Sequence, residues 1–165
     1  ASDYRRERIE TFLTGKCQDG VDLLGDCFQL NQSWIAISSG GLTGLGPGTS
    51  RARWGMLPNA YTDFIVSITG EEYGFIGILV LTIIFLILIV SFYGMALTTN
   101  DNFKKLLLAG IATWVGIQTI LNLGGAVGLL PITGIVLPFI SYGGTAMVSI
   151  FIGLSLAHNE NLDNE

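Results

Sequence analysis

Three stretches of this chain are apolar enough and long enough to cross a bilayer. The run from Phe75 to Leu97 carries no charge and is dense in Ile and Leu. The run from Leu106 to Leu130 is also uncharged and holds Gln118 and Asn122, and the run from Phe139 to Ala157 is just long enough. A hydrocarbon core of about 30 Å takes about 20 residues at about 1.5 Å rise each. Backbone in lipid must satisfy its own hydrogen bonds, so uncharged runs of this length are predicted to be helices. Buried helices of a soluble core fit poorly, because three such runs fill so much of the chain.

Polar segments separate these runs. Thr98–Lys105 reads as a turn, with Asn100-Asp101-Asn102 and Lys104-Lys105. Pro131–Pro138 is a tight connection holding Gly134, and the acidic tail His158–Glu165 is predicted to fray. The pattern divides the chain into residues 1–61, a helix over 62–97 with a polar start, a connection 98–105, a helix over 106–130, a connection 131–138, a helix over 139–157 and a tail 158–165. Before the first span the character differs. Tyr4–Leu13 is a candidate short amphipathic helix, and Phe28–Ile37 is mildly apolar but too short to span. The glycine-rich stretch Ser38–Gly48 matches neither the P-loop nor the dinucleotide pattern and is predicted to be a flexible turn. Arg51 and Arg53 on one side of the first span balance Lys104 and Lys105 on the other, so charge does not orient the chain.

Composition agrees with a lipid environment: of 165 residues, 50% are hydrophobic and only 13% charged, against about 25% charged in ordinary globular domains. The net charge of −5 comes without any cationic stripe of the kind that displaces counterions from nucleic acid, so no nucleic-acid partner is expected. Cys17 and Cys27, ten residues apart, could close a disulfide or remain free thiols, and no nearby His supports zinc. The sole histidine, His158, lies in the tail, which excludes a Ser-His hydrolase. The chain opens Ala-Ser-Asp-Tyr-Arg-Arg, with neither an initiator Met nor a signal-peptide core, and is expected to be a piece of a longer protein.

Candidate chemistry gathers around the first span. Asp63 sits where the chain should enter the membrane, and Glu71 and Glu72 follow eight and nine residues later. On a continuous helix they would lie about 12 Å deeper, where an ionisable group normally faces a bundle interior or watery cavity. Alternatively the helix starts near Tyr73 and leaves both glutamates in the headgroup region. Helical spacing puts Gly70, Gly74 and Gly77 within about 40° of Asp63, a face suited to close backbone approach or to a ligand. Trp114, Gln118 and Asn122 recur at four-residue spacing, and buried amides need partners. Irregular backbone from Leu130 to Gly144 would need cover from protein or water.

Several motifs then fall in a familiar order: Ser50-Arg51-Ala52-Arg53-Trp54-Gly55-Met56-Leu57-Pro58, Thr62-Asp63-Phe64-Ile65, Gly70-Glu71-Glu72-Tyr73-Gly74, Gln118 to Asn122, and Leu137-Pro138-Phe139-Ile140-Ser141-Tyr142-Gly143-Gly144. Together they resemble the last third of the SEDS family, the bacterial cell-wall polymerases FtsW, RodA and SpoVE. The first motif is more similar to the division branch than to the elongation branch. The resemblance implies an all-α integral membrane protein of ten spans, of which this chain holds spans eight to ten behind a long extracytoplasmic loop. It places 1–61 and 131–138 outside the cell, 98–105 and 158–165 inside, and the protein in the bacterial inner membrane.

It further implies a peptidoglycan glycosyltransferase that polymerises lipid II beside a class B penicillin-binding protein and other division proteins. Its essential carboxylate matches Asp63, either as general base or as ligand of a divalent cation, Mg or Mn. Arg51 and Arg53 are candidates to offset pyrophosphate charge; Trp54, Glu71, Glu72, Gln118, Asn122, Ser141 and Tyr142 are further substrate-binding candidates. The chain departs from the family in reading Pro58-Asn59-Ala60-Tyr61 where Pro-Glu-Ala-His is common, losing a carboxylate and an imidazole beside Asp63. With seven spans missing, the chain alone is expected to be inactive. Two other readings remain open: a lipid II flippase, for which discontinuous helices would speak, and a non-catalytic scaffold of the division machinery.

Overall fold

In a computed structural model the chain is described at residues 10, 14, 27–52 and 61–159, with side chains through 155. Arg53, Trp54, Cys17 and nearly all of the Tyr4–Leu13 segment lie outside these residues. Cys27 is fully buried and disulfide-bonded. The described residues form four helices and no strand: α1 (Phe28–Gly40), α2 (Ile65–Thr98), α3 (Asn102–Val127) and α4 (Gly144–Asn159).

Helices α2 and α3 make a hairpin across a three-residue connection. Asp101 caps α3, its carboxylate accepting from the Phe103 N–H at 2.8 Å, so Lys104 and Lys105 lie in the first helical turn rather than in the connection. At the far end Gly128 takes the left-handed conformation (φ 78) that closes many helices. The hairpin is sealed by Leu81, Phe85, Phe92 and Ala96 of α2 against Leu108, Ile111, Ala112 and Val115 of α3. These positions recur at three-, four- and seven-residue steps, the spacing that keeps one face of each helix on its partner. Tyr93 adds a polar link to Thr113 at 2.7 Å.

The opposite face is bare. Leu79, Val80, Ile83, Ile84, Leu86, Ile87 and Val90 are all exposed, and only 11% of the apolar window of α2 is buried. A soluble protein rarely leaves so continuous an apolar surface open; lipid or further helices must cover it. Helices α2 and α3 are both long and apolar enough to span.

The third apolar run behaves differently. Its helix starts five residues late, at Gly144, because Pro138 and Phe139 turn the chain and Phe139 takes a positive φ of 63. Residues 144–159 rise roughly 24 Å at about 1.5 Å each, short of the bilayer core. Phe139 packs edge-on against Phe151 of α4, ring centres 6.4 Å apart.

Helix α1 lies across the hairpin at the end where Asp63 enters α2, and a buried polar knot ties the three helices. The Ser33 hydroxyl donates to the Ala126 carbonyl at 2.6 Å and pairs with the Ser67 hydroxyl at 2.6 Å. Trp34 donates its indole N–H to the Val127 carbonyl at 3.1 Å.

Helix α2 is broken. Gly74 has φ 67 and ψ −162, which interrupts the helix between residues 65–73 and 75–98. The glycine-rich stretch after α1 fills the gap. Leu45 and Gly46 donate to the carbonyls of Glu71 and Glu72 at 3.0 Å each, while Phe75 and Ile76 donate to the carbonyls of Gly41 and Leu42 at 2.9 and 3.2 Å. The stretch predicted to be a flexible turn is thus an ordered clasp whose own amides and carbonyls replace the interrupted helical bonds. Two glycines make the approach possible. A Cβ on Gly74 would lie 2.5 Å from backbone atoms of Leu42 and Gly44, and one on Gly44 would overlap the Glu72 carbonyl. Since the helix begins after Asp63 and breaks at Gly74, the glycine face drawn from continuous helical spacing does not form; Gly70 lets α1 approach, Gly74 admits the clasp, and Gly77 lies against Tyr73 of the preceding half-helix.

Candidate functional site

Asp63 ends the turn that leads into α2, with Phe64 behind it almost fully buried as the N-cap. The carboxylate-bearing residue itself is half-buried. Its turn is held from two directions. Asn122 of α3 donates from Nδ2 to the Asp63 carbonyl at 3.0 Å, and the Tyr142 N–H donates to the Tyr61 carbonyl at 3.0 Å. The same Asn122 nitrogen donates to the Ile135 carbonyl at 2.8 Å, so one amide fastens the Asp63 turn to the segment 131–138. That segment comes close: a Cβ on Gly134 would stand 3.7 Å from Asp63 Oδ2. Asp63, Asn122, Thr133 and Gly134 help line a small cavity of about 10 Å³, about the room one water needs.

The glutamates are placed otherwise. Glu71 is only 2% exposed, and its Oε2 accepts from the Ser50 hydroxyl at 2.6 Å and the Ala52 N–H at 3.1 Å. A buried carboxylate must find donors, and here it finds them on both sides of Arg51, whose side chain is exposed. Glu71 therefore fixes the turn that presents Arg51. Glu72 is buried at the end of the first half of α2. Because the span-length part of α2 starts only at residue 75, both glutamates precede it rather than lying inside it.

Of the remaining sequence candidates, Ser141 is buried and its hydroxyl accepts from the Leu137 N–H at 2.9 Å, which stabilises the turn into α4. Tyr142 is 84% exposed and joins the Asp63 turn through its backbone. Gln118 is half-buried, its Oε1 without a hydrogen-bond partner among the described residues, and Trp114 is partly exposed. Neither they nor Arg51, Glu71 and Glu72 line the cavity beside Asp63. Sequence reasoning missed Ser50 and Gly134. A buried glutamate does announce that donors are needed, but which residues supply them is decided by how the chain returns.

Once this arrangement is set beside known proteins, a sequence model of the cell cycle proteins FtsW, RodA and SpoVE matches residues 1–163. The chain belongs to the FtsW/RodA/SpoVE family. A probable peptidoglycan glycosyltransferase FtsW from Geobacter metallireducens is 41% identical over 157 residues, which cover 95% of this chain and 41% of that protein. A chain from a structure described as the structural coordination of polymerization and crosslinking by a peptidoglycan synthase complex superposes with a TM-score of 0.67 at 29% identity, over 93% of this chain and 40% of that one. A mutant of the rod shape determining protein RodA from Thermus thermophilus gives 0.57 at 32% identity, over 82% of this chain and 40% of that one. The chain thus spans about two fifths of the length of these family members. Proteins of the FtsW/RodA/SpoVE family are bacterial membrane proteins, and the two long apolar helices accord with that.

The family resemblance implies a divalent cation. Among the described residues no group of three acidic, His or Cys side chains comes together. Asp63 is a single carboxylate, so the described residues do not make a cation site of their own. Mg²⁺ is commonly held by one or two carboxylates with substrate phosphates completing the shell, and only that kind of site would fit here.

Proposed function

We propose that this chain supplies the reacting carboxylate of a peptidoglycan glycosyltransferase that polymerises lipid II, with Asp63 as general base. The observation that carries this reading is where Asp63 stands: it is half-buried, lines a cavity and sits on a turn anchored from two sides. A general base must reach a substrate proton from a fixed position. In the reaction, Asp63 takes the proton of the acceptor sugar hydroxyl as its oxygen forms the bond to the donor's anomeric carbon. The bond from that carbon to the undecaprenyl pyrophosphate breaks, and the pyrophosphate leaves with the electron pair. Arg51, exposed on its Glu71-anchored turn, and Arg53 meet the pyrophosphate charge.

In the same reading α2 and α3 are two spans of a bacterial inner-membrane protein and α4, together with residues 139–143 that lead into it, makes the third; residues 1–61 lie outside, and the protein works beside a class B penicillin-binding protein. The synthase complex to which it is similar supports such a partner. The break in α2 lends no weight to transport. In broken-helix transporters the freed backbone groups bind substrate, but here the clasp of residues 41–46 takes them.

The test is D63N in the complete protein, inserted in membranes and assayed for lipid II polymerisation. Asparagine keeps the shape and removes the base, and general-base loss lowers rates by about 10²–10⁴-fold. A D63N protein that polymerises at the wild-type rate refutes the role.

A further inference from the structure

Asn122 is 4% exposed, yet it does not bond to a neighbouring helix as a packing amide would. Both of its hydrogen bonds run from Nδ2 to backbone carbonyls that flank the cavity beside Asp63, one of them that of Asp63 itself. Its Oδ1 is buried with no donor among the described residues. An orphaned buried acceptor is unfavourable, so a residue chosen only for packing would be apolar. What the amide provides is a nitrogen that binds two segments at once: the turn carrying Asp63 and the segment 131–138, which with α3 line the cavity beside Asp63.

We propose that Asn122 is a positioning residue for Asp63, holding its turn against residues 131–138 so that the carboxylate meets the acceptor hydroxyl at bonding distance. The proposal deepens the reading of Asp63 as general base and rests on it. Three features agree. The hydrogen bond is made to the main chain of Asp63 and so sets where the residue stands without consuming its carboxylate. Gly134, on the segment that Asn122 reaches through Ile135, faces Asp63 Oδ2, which would stand 3.7 Å from a Cβ placed on it. The Tyr142-to-Tyr61 bond holds the start of the same turn, so that removing Asn122 frees its Asp63 end while the start stays tied.

A misplacement of about 1 Å in a reacting group lowers rate by about a hundredfold. In the complete protein, N122A should therefore lower kcat for lipid II polymerisation by about ten- to a hundredfold with KM little changed, since substrate surfaces remain. N122D, which offers carboxylate oxygens to two carbonyls and no donor when ionised, should lose at least as much. N122Q, which restores the donor one methylene further out, should recover part, and it carries the comparison if N122A does not fold. The decisive readout is the double variant: N122A added to D63N should cause no further loss of the residual rate, because Asn122 acts through Asp63. A wild-type kcat in N122A, a rise in KM with unchanged kcat, or a loss in the D63N background as large as in the native one would each overturn the proposal. D63N alone separates the two ideas. If it is fully active, the base role falls and this proposal with it; if it is inactive beside a fully active N122A, only the positioning role falls.

Discussion

Replacing Gly74 with alanine should release the clasp that closes the break in α2. At φ 67 and ψ −162 the residue occupies a region open almost only to glycine, where another residue is strained by roughly 1–3 kcal/mol. The added Cβ would also lie 2.5 Å from backbone atoms of Leu42 and Gly44, and backbone cannot swing aside as a side chain can. Alanine has an alternative: it can take helical angles and let Phe75 and Ile76 bond to the carbonyls of Glu71 and Glu72 directly. The helix would then satisfy itself, and the groups of Gly41, Leu42, Leu45 and Gly46 that now bond to it would lose their partners. At about 0.5–1.5 kcal/mol for each of the bonds lost, the clasp should be weakened by at least about 2 kcal/mol.

That weakening corresponds to a roughly thirtyfold rise in the population with the clasp open, at about 1.4 kcal/mol per decade. Amide hydrogen exchange on the protein in nanodiscs reads it at Leu45 and Gly46, whose N–H groups are the clasp donors. G94A is the control. It lies in the same helix with nothing within 4 Å of the added Cβ, and it should be neutral or stabilising by roughly 0.5–1 kcal/mol. If Leu45 and Gly46 stay as protected in G74A as in the native chain, the conformation and crowding at Gly74 are not what holds the break.

Two further outcomes follow from the buried polar contacts. E71L removes the acceptor of Ser50 and Ala52; with such hydrogen bonds contributing about 1.5–3 kcal/mol each, exchange at the Ala52 amide should rise by roughly 10-fold or more, whereas E71Q keeps an acceptor oxygen and should change it far less, and an unchanged Ala52 in E71L would show that the carboxylate is not the anchor. S33A leaves the Ala126 carbonyl and Ser67 hydroxyl without their shared partner, which should lower stability by about 1–3 kcal/mol, and an unaltered melting temperature in detergent would contradict the knot.

The long apolar runs were readable because span length and the lack of charge are local properties: residues 75–98 and 102–127 lie close to the runs drawn from hydropathy alone. The boundaries that shifted did so for conformational reasons. Asp101 caps α3 early, and Phe139 turns the chain so that α4 begins only at Gly144. Hydropathy is blind to both. The motif order pointed to the family, which the match over residues 1–163 shows. What was not legible is which polar groups meet. The spacing identifies Asn122 as an amide needing a partner, but that its partners are carbonyls of Asp63 and Ile135 depends on contacts spanning 59 and 13 positions. The glycine-rich stretch escapes a sequence reading for the same reason: its function lies in the backbone of residues 26 and 34 positions away, and no local pattern of glycines tells a clasp from a turn.

The break also explains how two acids can sit beside an uncharged span. Helix α2 unbroken over 65–98 would rise roughly 51 Å at about 1.5 Å per residue, well beyond a core of about 30 Å, and would carry Glu71 and Glu72 along the same axis as the crossing segment. Broken at Gly74, the crossing part is residues 75–98, roughly 36 Å, and the acids belong to the short half that precedes it. Such a break leaves backbone groups that lipid cannot satisfy, so non-helical backbone is stable there only if protein covers it. The clasp does this with residues of the same chain, and it leads directly on to Ser50 and Ala52, the donors of Glu71. Freeing Gly74 and neutralising Glu71 should thus loosen one connected unit, with Arg51 at its exposed edge, while the Asp63 turn, held separately by Asn122 and Tyr142, keeps its place.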